Sequence, residues 1–248
     1  MIDEATPYLS SCRPSHEPQQ YRMKTVIEAE RLQLLEHWTT VLERNPDWIA
    51  NRFTQVERLL AASRGAPATL RALSSCIRQV HDKLGFKAKD SLARGGLCAG
   101  AIFRTQAFID THTRVGSKLG KTIHIEHTFP VRQLVLEIVK RPFPDYQAMI
   151  IWLLTHSVAT AFHQSETVHL FGQLSTSDAL NSKSAKYLKP FSRYQPLYAA
   201  GGKVWNVFDG TIVDINQFTF QDHLDVFRRL LSESGAAPSL VTALQSSR

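Results

Sequence analysis

The chain has 248 residues, 43% hydrophobic and 21% charged, a balance that suits a globular protein with a sizeable core and excludes a disordered or low-complexity polymer. It contains no apolar run of about 18 residues, so no membrane span is expected, and its first residues lack the basic start and apolar stretch of a secretion signal. The net charge of +7 favours a polyanionic partner, and the widely spaced Cys12, Cys76 and Cys98 form neither a disulfide framework nor a CxxC pair, so a reducing cytoplasm and no structural zinc are expected.

Residues 1–22 are polar, carry Pro7, Pro14 and Pro18, and read as a loose arm. Residues 23–115 read as a helical domain. Thr25-Val-Ile-Glu28 has the form of a capping box opening a first helix, with Leu34, Leu35, Trp38, Val41 and Leu42 at helical spacing. Asn45-Pro46 ends it and starts a second helix, with Pro46 at a first helical position, lined by Ile49, Phe53, Val56 and Leu60. Gly65-Ala66-Pro67 breaks the chain again. Leu70, Leu73, Ile77, Val80 and Leu84 mark a third helix closed by Gly85. The small residues Gly95, Gly96, Cys98, Ala99 and Gly100 lack the spacing of a phosphate-binding loop and suit close helix packing.

The character changes near Gly116. Thr122-Ile-His-Ile-Glu126 alternates and is β-branched, so it reads as a strand, followed soon by Pro130. Residues 145–163 read as one strongly apolar helix, inside an insertion at about 143–165. Thr167-Val-His-Leu-Phe171 reads as a second strand, and Ser175-Thr-Ser-Asp178 as the cap of a helix running through Asn181 to Lys186. Asp209-Gly210 suits a primed hairpin turn between short strands. An amphipathic helix spans about Asp222 to Leu231.

The string Ile123-His-Ile-Glu126-His127-Thr-Phe-Pro130, joined to Thr167 through Lys183, carries the chemical information. A carboxylate-His pair ends one strand, and an Asn and basic residues follow a second strand and turn. This pattern resembles the HNH nucleases, the ββα-metal or His-Me finger superfamily, over roughly residues 118–190. Phosphodiester hydrolysis needs a base for water and a cation for the charge developing on the phosphate. Histidine suits the first role near neutral pH, and carboxylate and amide oxygens suit Mg²⁺ or Mn²⁺.

The resemblance implies His127 as general base, Glu126 and Asn181 as metal ligands, and His169 near the position that orients the base. Lys183, Lys186 and Arg193 would then hold the DNA backbone. The separation of His127 from Asn181 is long for a compact motif, and the zinc-binding cysteine pairs of many members are absent. His124-Ile-Glu126 also matches the HxE of zinc deaminases, but no PCxxC follows.

Blander readings accompany the other conspicuous residues. His124 reads as a sheet-face residue, His156 and His163 as core or helix-surface histidines, Asp209 as a turn residue, and Trp152, Phe162 and Phe171 as core.

The expectation is therefore an α+β protein: a helical N-terminal region, and a ββα-metal core in residues 116–248 with a helical insertion and a C-terminal hairpin and helix. The resemblance implies a metal-dependent endonuclease that hydrolyses double-stranded DNA to 5′-phosphate and 3′-hydroxyl ends. Size and charge suit a homodimeric restriction enzyme reading a palindrome. A non-catalytic nucleic-acid-binding protein and an RNA-directed or toxin nuclease fit the same residues.

Overall fold

A computed structural model describes residues 19–62, 66–81, 98–111, 123–167, 182–236, 238 and 241–242. The fold is mixed α+β. Helix α1 runs over Gln19–Arg44, α2 over Trp48–Ala62 and α3 over Pro67–His81. The first begins before the Thr25 capping box, because Gln19 to Lys24 are good helix formers with no breaker among them. Pro46 lies in the turn before α2 instead of at its first helical position. Leu34, Trp38 and Leu42 of α1, Ile49, Val56 and Leu60 of α2, and Leu73 and Ile77 of α3 are buried, as their helical spacing predicts.

Strand β1, Phe103–Thr105, follows, with the short helix α4, Gln106–Ile109. Residues 23–115, expected as a helical domain, thus also contribute a strand. Strand β2 is Ile123–His127, and helix α5, Val131–Lys140, starts directly after Pro130. Its buried Val131, Leu134, Val135 and Ile138 lie on one face.

The apolar stretch expected to be one helix is two elements: α6, Tyr146–His156, and strand β3, Ala159–His163. Ser157 and Val158 separate them. A buried strand and a buried helix are both continuously apolar, so periodicity did not divide them. Helix α7, Gln164–Thr167, ends where the second strand was expected to begin; residues 168–171 lie outside the described residues. A 3₁₀ helix at Pro190–Tyr194 leads into α8, Gln195–Ala199.

Strands β4, Val204–Asn206, and β5, Thr211–Ile212, form the expected hairpin, and α9, Phe220–Glu233, follows. The register pairs Asn206 with Thr211, so the connection holds four residues instead of a two-residue primed turn. Gly210 within it takes φ +67°, a conformation a Cβ would oppose.

The sheet order is β2-β3-β1-β4-β5. Strands β2 and β3 are antiparallel, β3 and β1 parallel, and β1 and β4 antiparallel. The central strand thus comes from the region expected as a helical domain, so the sheet joins strands from both sides of residue 116. Helix α1 is tied to this sheet. Trp38 Nε1 donates to the Gly100 carbonyl at 3.0 Å, and its ring meets Phe227 of α9 edge-on at 5.4 Å. Arg104 of β1 forms a buried ion pair with Glu30 and donates to the carbonyls of Ala101 and Ala99. A buried guanidinium is tolerated because its donors are matched.

Candidate active site

Glu126 and His127 close strand β2. Pairing sets Glu126 opposite Thr160 and His127 opposite Ala159, and Thr128 continues the ladder through its N–H to the Val158 carbonyl at 3.0 Å. Phe129 and Val131, both buried, anchor the turn on either side of Pro130. The strand end is therefore fixed on both flanks, by β3 and by the first turn of α5. Both site side chains are enclosed: Glu126 is 7% exposed and His127 is 6%.

The 3₁₀ helix supplies the partners of Glu126. Pro190 presets its first turn, and three residues per turn place Phe191 and Tyr194 on one face. Their rings pack into the core, Phe191 against Phe103 at 4.8 Å and Tyr194 against Phe162 at 5.2 Å, both edge-on. This packing delivers Arg193 and Tyr194 to the end of β2. Arg193 Nη2 lies 2.9 Å from Glu126 Oε1, and the Tyr194 hydroxyl donates to Glu126 Oε2. Arg193 Nη1 also donates to the His127 carbonyl at 3.0 Å and the Thr128 carbonyl at 2.8 Å.

Charge and burial compete here. Burial pushes the Glu126 carboxyl up to about 7, against the pull of Arg193 and the Tyr194 hydroxyl. Burial lowers the His127 imidazole to about 3, with the positive charges of Arg78 and Arg193 adding to the effect. His127 is consequently neutral at neutral pH. The Tyr194 hydroxyl is raised by burial and by the neighbouring Glu126 carboxylate, so it stays a donor.

Several expected site residues stand elsewhere. Arg193, expected on the DNA backbone, has only 9% of its side chain exposed and faces Glu126. His169 and Asn181 lie outside the described residues. Lys183 and Lys186 are in consecutive turns over residues 182–188 instead of the expected helix; Tyr187 N–H donates to Ser184 and Lys189 N–H to Lys186. Lys183 is exposed and Lys186 is half-buried.

His156 is a core histidine, stacked on Trp152 at 4.4 Å and against Phe220 at 4.5 Å. His163 ends β3, where its Nδ1 is 2.7 Å from the Ser165 hydroxyl. Asp209 is a turn residue, bonded to Asn206 and Arg229. Tyr194 was not singled out in the sequence. An aromatic followed by nothing but a helix turn gives no pattern that marks its hydroxyl for Glu126.

The donor set does not fit a divalent ion at Glu126 as the side chain is held. Both carboxylate oxygens are engaged by protein donors, one of them a cation that takes the place a metal would fill. Among the described residues no group of three or more His, Cys, Asp or Glu side chains could hold a metal. The arrangement does offer a neutral imidazole, a carboxylate and a guanidinium concentrated at one strand end. Comparison of the chain with protein-family models, with curated proteins and with solved structures finds no match.

Proposed function

We propose that the protein is a nuclease that hydrolyses phosphodiester bonds in DNA, with His127 as the base that activates water. The observation that carries this reading is the end of β2: a neutral imidazole and an acid side chain on consecutive residues of a strand paired to β3, with a helix starting at Val131. The positive charge of the chain supports an anionic polymer as substrate. The cations that depress His127 also favour an approaching phosphate. A bound phosphate would offset this smaller, charge-based part of the depression, while the larger part, from burial, would remain.

The sequence resemblance adds a requirement for Mg²⁺ or Mn²⁺ and, more finely, a homodimeric restriction enzyme. Because Glu126 is engaged by Arg193 and Tyr194, no step is assigned to a metal at this carboxylate. The enclosure of Glu126 and His127 favours a second reading, a nucleic-acid-binding protein that does not cleave.

Incubation of plasmid, genomic DNA and RNA with wild type and His127→Ala, in Mg²⁺, Mn²⁺ or EDTA, separates these readings. Cutting by wild type that His127→Ala reduces by about 10²–10⁴-fold is expected for loss of a general base. Discrete fragments would support sequence specificity and a smear would oppose it. Equal cutting by the variant rules out His127 as the base, and binding without cutting in any condition supports the second reading.

A further inference from the structure

Arg193 touches three consecutive residues of the strand end. One nitrogen pairs with the Glu126 carboxylate at 2.9 Å, and the other donates to the carbonyls of His127 and Thr128 at 3.0 and 2.8 Å. The guanidinium is planar and rigid, so these contacts fix both the height and the direction of the backbone at residue 127. The Tyr194 hydroxyl holds the other oxygen of Glu126, and the buried rings of Phe191 and Tyr194 anchor the segment that carries both groups.

We propose that Arg193 is a positioning residue that orients His127, with Glu126 as its anchor, and that it is not a contact to the nucleic-acid backbone. This rests on the nuclease reading for its catalytic consequence, but the clamp itself is independent of it. A phosphate contact must be reachable, whereas only 9% of the Arg193 side chain is exposed and both its terminal nitrogens are engaged by Glu126, His127 and Thr128. Withdrawing it to meet a phosphate would take from Glu126 its counter-charge and one of its two donors, and from two carbonyls the donor that Arg193 supplies. Lysine cannot replace it fully, because a single ammonium lacks the fork that spans carboxylate and carbonyls. Lys183 is exposed on the turns that precede this segment and is the better candidate for a backbone contact.

The test compares full-length wild type, Arg193→Lys, Arg193→Gln and Lys183→Ala. DNA cleavage gives kcat and KM, and DNA affinity is followed across a salt series. Positioning predicts that Arg193→Gln lowers kcat by about 10²-fold with KM nearly unchanged, as expected for misplacement of a reacting group. Arg193→Lys recovers only part of the loss. Neither change alters the dependence of log affinity on log salt, whereas Lys183→Ala reduces that slope by about 0.9, the share of one phosphate contact.

Hydrogen exchange of the Thr128 amide, which bonds to Val158, gives a readout that needs no activity. It should speed in Arg193→Lys while the amides of α9 keep their protection. A loss of salt slope in the Arg193 variants with kcat retained overturns the proposal in favour of a phosphate contact. Unchanged Thr128 exchange in Arg193→Lys overturns the clamp whether or not the wild type cuts. Absence of cutting by wild type, with Thr128 loosened in the variant, defeats the nuclease reading and leaves the clamp standing.

Discussion

Glu126 shows how one side chain's environment sets its chemistry. A carboxylate removed from water is costly, and the pairing with Arg193 and Tyr194 offsets only part of that cost, since burial still raises the group to about 7. Removing only the carboxylate leaves the guanidinium buried without its counter-charge. Glu126→Ala should therefore destabilise the fold by about 3–5 kcal/mol, the range for breaking a buried pair from one side. Glu126→Gln keeps an acceptor for one donor and should cost clearly less. Urea unfolding followed by tryptophan fluorescence measures both. Equal stability of Glu126→Ala and wild type would mean that the pair contributes nothing net. At this scale the sequence was half legible. The Glu-His pair stood out because adjacent acid and imidazole at a strand end suit phosphodiester chemistry. Arg193 is not distinguishable from a DNA-backbone contact in the sequence, because a lysine- and arginine-rich stretch looks the same whether a given cation faces solvent or a buried carboxylate. What separates Arg193 from Lys183 is the packing of Phe191 and Tyr194 on either side of it, a tertiary fact.

The interface of α6 with α9 carries a second consequence of burial, now between elements. His156 of α6 lies between Trp152 and Phe220, with Arg141 over the Trp152 ring. His223 of α9 has Nδ1 3.0 Å from the Thr155 carbonyl and is buried beside it. Burial lowers both imidazoles to about 4. Arg141 adds to this for His156 and His156 adds to it for His223, against the backbone hydrogen bonds. The folded state therefore excludes protons that the unfolded chain accepts near 6.5. Their contribution to stability is complete above about pH 6.5 and is lost as pH falls from there toward 4. Glu126 works in the opposite sense. Raised to about 7, it holds a proton in the folded state before the unfolded chain does, and offsets part of the loss between about pH 7 and 4.5. Glu166, also raised by burial, adds to this offset, but three depressed histidines, His127 among them, against two raised carboxyls leave a net fall. Tm should therefore drop as pH is lowered from about 6.5 to 4.5, and His156→Phe should flatten the drop. A flat Tm over that range in wild type would contradict the assignment.

The same elements show what periodicity can and cannot reveal. Helices α1 to α3 and α9 were legible because their apolar faces recur at helical spacing. The Thr219–Asp222 capping box at the start of α9 is formed by both side chains. Strand β3 was not legible because it follows α6 after two residues, with no polar alternation to mark the change. Strand β1 spans three residues, too few for any period. Its Arg104 belongs by composition to a surface, yet it is buried and satisfied by Glu30 from α1.

For the molecule as a whole, the ion pair and the sheet order lead to one argument about folding units. A division at residue 116 looked natural in the sequence, since helices dominate before it and strands after it. The sheet joins strands from both sides of it. Strand β1 lies between β3 and β4, so residues 116–248 alone would leave two strands on one side of a gap and two on the other. Each would present an unpaired edge to water, and the buried Phe103 that packs on Phe191 and Phe218 would be missing. The helical part would fare no better. Trp38 and Glu30 of α1 would lose Phe227 and the buried environment that holds Arg104. Expressed separately, residues 1–115 and 116–248 should each lack a cooperative thermal transition, and the full chain should show one. Co-expression of the two pieces should restore it, because β1 can pair between β3 and β4 from a separate chain. A cooperative transition in residues 116–248 alone would restore the boundary at 116 and make β1 an appended strand. Its absence, with recovery on co-expression, would mean that the strand end bearing Glu126 and His127 is held in place by the whole chain.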